Sequence, residues 1–184
     1  MVKREIYFFN IKDWQNRLVD WVSRFLVLAP QQGLYELEYQ PAMKDETAKI
    51  LFPGARLTTP LKLFLYPAKE SLSIDPTFEQ KQAVILGVKS CDLKATSILD
   101  HIFLDPDFVD PFYKTRRDNI ILVSDDCPTP KECCFCNLEG GNPFADQNFD
   151  LNLSFLDDGV LVEVGSEKGE HLLKNGKGSC TPAE

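Results

Sequence analysis

The sequence predicts an α/β domain on a mixed sheet, and three observations carry that expectation. A continuous apolar segment, Lys81-Gln82-Ala83-Val84-Ile85-Leu86-Gly87-Val88, has the character of a strand buried on both faces, as strands inside parallel sheets are. A helix-period segment (residues 93–103) and a second apolar strand, Asn119-Ile120-Ile121-Leu122-Val123, follow it. Strand, helix, strand over this distance implies a right-handed parallel crossover. Finally, Asp157-Asp158-Gly159 is an Asp-Gly turn between two strand-like runs, 150–156 and 160–164, and so predicts an antiparallel hairpin.

Taken in order, residues 11–25 read as an amphipathic helix with Ile11, Trp14, Leu18, Val22 and Phe25 on one stripe. Asp13, Gln15, Asn16, Arg17 and Asp20 fill the other face. Trp14 and Trp21 suit core packing on such a helix better than a ring-stacking site. Residues 26–30 look like a short edge strand stopped by Pro30. Gln31-Gln32-Gly33 then turns the chain into a period-two strand at 34–39. From Pro41 to Pro76 the sequence is irregular, broken by Pro53-Gly54, Thr59-Pro60 and Pro67. Long excursions of this kind are either functional or covering segments, and both readings stay open. Lys89-Ser90-Cys91-Asp92 forms a tight turn, with Asp92 as candidate N-cap of the following helix. A short helix is expected at 112–118, and a loop rich in Pro, Gly and Cys at 125–148. Residues 1–165 thus form one α/β domain with the cysteine cluster at 91–136, and 166–184 a polar tail or linker.

Bulk properties narrow the function. A net charge of −8 argues against nonspecific nucleic-acid binding, which needs clustered Lys and Arg. The first apolar run, residues 6–9, is too short for a signal peptide, and the run at 83–88 is strand-sized rather than membrane-spanning. The expectation is a soluble cytoplasmic protein, where thiols stay reduced and grouped cysteines are metal ligands more often than disulfides.

The cysteines are the main chemical signal. Cys91, Cys127, Cys133, Cys134 and Cys136 fall in the spacing C-x35-C-x5-C-C-x-C. Adjacent cysteines cannot easily bridge each other, whereas several thiolates at one point ligate zinc or an iron–sulfur cluster. Both apolar strands run into a cysteine, Val88 into Cys91 and Val123 into Cys127. In a parallel sheet the carboxyl ends of strands share one edge, where ligands bind. Cys91 also begins a helix, which favours a thiolate, although a small buried residue would suit the same turn. Cys134-Phe135-Cys136 offers two sulfurs in one turn, with Phe135 available to shield them from water. Zinc sites favour Cys-x2-Cys, so this spacing leans away from zinc. Cys133 is one sulfur more than four-coordination needs, and Cys180 reads as a free thiol. Arg116 and Arg117 are candidates to sit beside a negatively charged thiolate cofactor, against the alternative of ordinary surface ion pairs. No dinucleotide fingerprint, P-loop or Ser/His/Asp arrangement is present, and His101 and His171 lie far apart in sequence.

Several ordered blocks together resemble a known family. They are Pro60-Leu61-Lys62-Leu63-Phe64-Leu65-Tyr66-Pro67 with Glu70, Gly87-Val88-Lys89-Ser90-Cys91-Asp92-Leu93 with Leu99-Asp100, and Asp110-Pro111-Phe112-Tyr113 with Arg116-Arg117. Cys127, Cys134-Phe135-Cys136, Gly140-Gly141 and residues 162–169 complete the set. The pattern is similar to the beta subunit of hydrogenase/sulfur reductase (sulfhydrogenase) complexes and to the corresponding iron–sulfur subunit of anaerobic sulfite reductase. The resemblance implies an electron-transfer subunit rather than a catalytic one. Its iron–sulfur cluster, of the 4Fe-4S type, would pass electrons between a flavin/nicotinamide subunit and a catalytic subunit. The matching ligands are Cys91, Cys127, Cys134 and Cys136. Lys89-Ser90 departs from the Arg-Pro common before the Cys-Asp pair, and Cys133 is an additional thiol. The ferredoxin-like module that usually follows is not in this sequence, so the chain is expected to be a piece of a longer protein or a short relative. The alternative function is a scaffold, holding zinc or no metal, that binds a partner protein.

Overall fold

The computed structural model describes residues 4–69, 82–174 and 181–182. Asn10 ends β1 (Ile6–Asn10) and caps α1 (Ile11–Arg24), its side-chain oxygen accepting the Asp13 N–H at 2.9 Å. Trp14 and Leu18 of the expected stripe are buried, Val22 and Phe25 partly so, while Ile11 remains exposed. Trp14 and Trp21 pack edge to face at 5.5 Å inside the core. Arg17, expected on the outer face, is buried and donates to the Leu173 carbonyl at 2.7 Å, because a later helix covers it.

Four strands run parallel at the centre of the sheet: β2 (Leu26–Gln32), β4 (Ala83–Val88), β5 (Ile120–Asp125) and β6 (Leu151–Phe155). β3 (Leu37–Pro41) lies antiparallel beyond β2. On the far side β7 (Gly159–Val164), β1 and the two-residue β8 (Thr181–Pro182) continue antiparallel, giving the order β3-β2-β4-β5-β6-β7-β1-β8. The expected mixed sheet, β4–β5 crossover and hairpin at Asp157-Asp158-Gly159 are all present. The crossover carries α3 (Ser90–Phe103) and α4 (Pro111–Asn119).

Side-chain alternation divides two cores. Val84, Leu86, Ile121 and Val123 face α1, while Ile85, Leu122 and Ile120 face the other side with Leu93 of α3 and Tyr113 of α4. Leu61 and Leu65 join that second core from the excursion after β3, around α2 (Lys62–Leu65). No helix among the described residues is long and apolar enough to cross a membrane.

Three expectations are corrected. The segment expected as an edge strand ending at Pro30 is an internal strand that continues to Gln32. Pro30 is tolerated because Ala42 N–H donates to Val27 and Gly33 N–H to Glu36, which leaves the Pro30–Tyr39 pair out of hydrogen-bonding phase with β3. Its missing N–H thus faces the β4 side, where pairing has already ended at Leu28. Gly87 makes this possible: it sits at φ +77° in a bulge, and a Cβ there would lie 2.4 Å from the Pro30 ring.

Asp92 is not the N-cap. The helix begins at Ser90, with Lys89 at the cap position, so Asp92 lies in the first turn.

The third correction concerns the segment after Gly165, expected as a polar tail. It forms α5 (Glu167–Lys174), with Leu172 and Leu173 buried against α1. Ser166 Oγ accepts the Gly169 N–H, a helix-start signal present in the sequence. Gly169 also lets the helix lie directly on the Asp150 carbonyl, which an added Cβ would strike at 1.9 Å. Cys180 and Glu70 lie outside the described residues.

Candidate metal centre

The site forms at the carboxyl edge of the parallel strands. β4 and β5 are adjacent, with Val88 opposite Ser124, so the chain leaves both strands at one place. Cys91 lies in the first turn of α3, three residues after β4 ends at Val88. Cys127 follows β5, its N–H bonded to the Pro143 carbonyl at 2.8 Å. Beneath them Lys89 and Asp125, 7% and 1% exposed in their side chains, form an ion pair that ties the two strand ends together.

The cysteine loop is held from several sides. Asp126 accepts from Asn152 and Ser154 of β6, Ser90 donates to the Asn142 carbonyl, and Lys94 donates to the Glu139 carbonyl. Inside the loop, the Lys131 N–H points at Cys134 Sγ at 3.2 Å, and Gly141 N–H bonds the Cys136 carbonyl at 2.8 Å. Cys91 and Cys136 line one cleft of about 330 Å³ between α3 and this loop. Cys91, Cys127, Cys134 and Cys136 are half-buried, whereas Cys133 is exposed. Phe135, expected to shield the sulfurs, is 57% exposed on the rim of the cleft.

The thiols lie within electrostatic reach of one another and of nearby charged groups. Burial pushes the Cys127 thiol up; Lys89 pulls it down, while Asp125 and the Cys91 and Cys134 sulfurs push it further up. Burial likewise raises Cys91, with Asp92 adding to it and Arg56 opposing. The carboxyls of Asp92 and Asp125 are also raised by burial. Burial thus favours the neutral thiols and carboxyls, and a soft cation that displaces the thiol protons is the partner several thiolates would gather around. Among the described residues no three His, Cys, Asp or Glu side chains stand close enough to hold a metal ion together. The thiols share a neighbourhood without meeting at one point. Four half-buried sulfurs fit a thiophilic group by donor chemistry.

Arg116 and Arg117 do not belong to this centre. α4 delivers them to the amino end of β5, the length of the strand away from Cys127. There Arg117 pairs with Asp100 at 3.1 Å, and Arg116 donates to the Leu65 carbonyl at 3.2 Å. The guanidinium that does reach the sulfurs is Arg56, from the irregular excursion, with Nη1 3.9 Å from Cys134 Sγ. Nothing local in the sequence marks Arg56, since 78 positions separate it from its partner.

No family model matches the chain, and no solved structure does. A relative does: sulfhydrogenase 2 subunit beta from Pyrococcus furiosus is 43% identical over 90 residues, covering 49% of this chain and 26% of the relative. The two are homologous over that segment, so this chain spans about a quarter of the relative's length.

Proposed function

We propose that this chain is an iron–sulfur electron-transfer subunit, or part of one, in a multi-subunit oxidoreductase of the hydrogenase or sulfite reductase type. Cys91, Cys127, Cys134 and Cys136 would hold the cluster, of the 4Fe-4S type. The observation that carries this reading is that β4 and β5 leave one sheet edge toward Cys91 and Cys127, that the Cys91 and Cys134 sulfurs help raise the Cys127 thiol, and that Cys136 lines the same cleft as Cys91. Homology to a sulfhydrogenase beta subunit supports the same direction.

A bound cluster supplies a one-electron carrier. The chain's own residues supply thiolates, partial exclusion of water, and a backbone frame tied by Lys89–Asp125 and by Asp126. The partners under this reading are a flavin/nicotinamide subunit and a catalytic subunit.

The test is iron and acid-labile sulfide analysis after anaerobic purification and reconstitution. Wild type and Cys133→Ala should carry matched iron and sulfide with a broad visible band. Cys136→Ala and the double variant Cys133→Ala/Cys134→Ala should lose both; the double change prevents Cys133 from replacing Cys134. A colourless protein containing zinc would replace this reading with the scaffold, and full loading of the double variant would refute the ligand set.

A further inference from the structure

We infer that Arg56 is the counter-ion of the thiolate centre, setting how tightly it holds a thiophilic metal and at what potential a bound cluster accepts an electron. The inference rests on the cysteines being a metal centre, but not on the metal being iron. Arg56 is presented by an anchored stretch of backbone. Ala55 before it is buried, and Thr58 after it bonds the Leu37 carbonyl of β3 through both its N–H (3.0 Å) and its hydroxyl (3.1 Å). Gly54 lies against Pro128 of the cysteine loop, where a Cβ would sit 3.4 Å from the proline ring. The side chain therefore approaches from outside the sheet edge, beside Cys134, and also faces Cys91, Cys133 and Asp92.

The charge inventory explains why this residue matters. A divalent metal held by four thiolates carries net negative charge, and the carboxyls of Asp92 and Asp125 stand next to two of the cysteines. Of the neighbouring cations, Lys89 is committed to Asp125 and Lys94 to the Glu139 carbonyl. Among the described residues, Arg56 is the cation whose side-chain hydrogen bond goes to a sulfur. Its planar fork can serve two sulfurs at once, which a lysine ammonium on a flexible stem does poorly. Positive charge and N–H···S contacts at a cluster favour the more negative, reduced state.

The experiment compares wild type, Arg56→Gln and Arg56→Lys. Cobalt(II) is titrated anaerobically into the reduced metal-free proteins against a chelator, and binding is read on the thiolate-to-cobalt absorption. Arg56→Gln should bind cobalt at least tenfold more weakly, and Arg56→Lys should recover part of that loss. The difference should narrow at high salt, since Arg56 is exposed. In iron–sulfur-reconstituted protein, a tenfold loss of preference for the reduced state lowers the midpoint potential by about 59 mV for one electron. Thermal unfolding of the metal-free variants should match wild type, which separates this role from a structural one. Unchanged cobalt affinity and potential in Arg56→Gln would overturn the inference. If wild type takes up cobalt with the predicted Arg56 dependence but no iron and sulfide, the proposed cluster is wrong and Arg56 stands. A wild type that binds no cobalt overturns both.

Discussion

Replacing Lys89 by Met should be among the most damaging single changes in this fold. The side chain is 7% exposed and its partner Asp125 only 1%, so the substitution strands a carboxylate inside the protein. Breaking one half of a buried ion pair costs about 3–5 kcal/mol. With an unfolding entropy of about 2.1 cal/mol/K per residue, a chain of this length loses roughly 8–13 °C of Tm.

The loss depends on pH. Burial already holds the Asp125 carboxyl above its ordinary value, with Lys89 pulling it back, so removing Lys89 raises it further. An acid whose folded pKa exceeds its unfolded one binds more protons when folded. Stability then falls as pH rises from the unfolded value, about 3.9, through the folded one. The deficit of Lys89→Met should therefore be small near pH 4 and full at neutral pH. Circular-dichroism melts of reduced, chelator-treated protein across that range measure it. Lys89→Met/Asp125→Leu should regain most of the loss, since the charge is no longer stranded. Lys89→Arg should equal or exceed wild type: Asp125 Oδ2 is buried with no hydrogen-bond partner among the described residues, and a guanidinium fork can reach both oxygens. A Lys89→Met protein melting within about 2 °C of wild type at pH 7, far below the shift worked above, would refute the reasoning, as would a double variant no better than the single.

Two further outcomes follow from the packing. Leu172→Ala should cost about 2–5 kcal/mol by chemical denaturation, because Leu172 is 2% exposed in the core, whereas the same change in a solvated linker would cost nothing measurable. Arg117→Gln should cost roughly 1 kcal/mol by loosening α4 from Asp100, while leaving cobalt affinity at its wild-type value. A loss of affinity matching that of Arg56→Gln would put the arginine pair back at the metal centre.

The sequence by itself determined the mixed sheet and the β4–β5 crossover, which puts the chain segments leading to Cys91 and Cys127 at one sheet edge. Those follow from local rules: unbroken apolar runs such as 83–88 belong in a buried parallel strand, and parallel strands share a carboxyl edge. It also determined the Asp-Gly hairpin and the core role of Trp14 and Trp21. Where it misled, the deciding contact was distant in sequence. Pro30 stops an isolated strand, yet here its missing N–H falls beyond the end of β4, and only the bulge at Gly87 leaves room for its ring. Residues 167–174 look polar until Gly169 is set on Asp150 and the two leucines meet α1. The exchange of Arg116 and Arg117 for Arg56 has the same origin. Sequence distance from the cysteines favoured the pair at 116–117, but a strand carries its two ends apart, while the excursion after β3 folds back over the sheet edge and brings Arg56 to sulfurs it never neighbours along the chain.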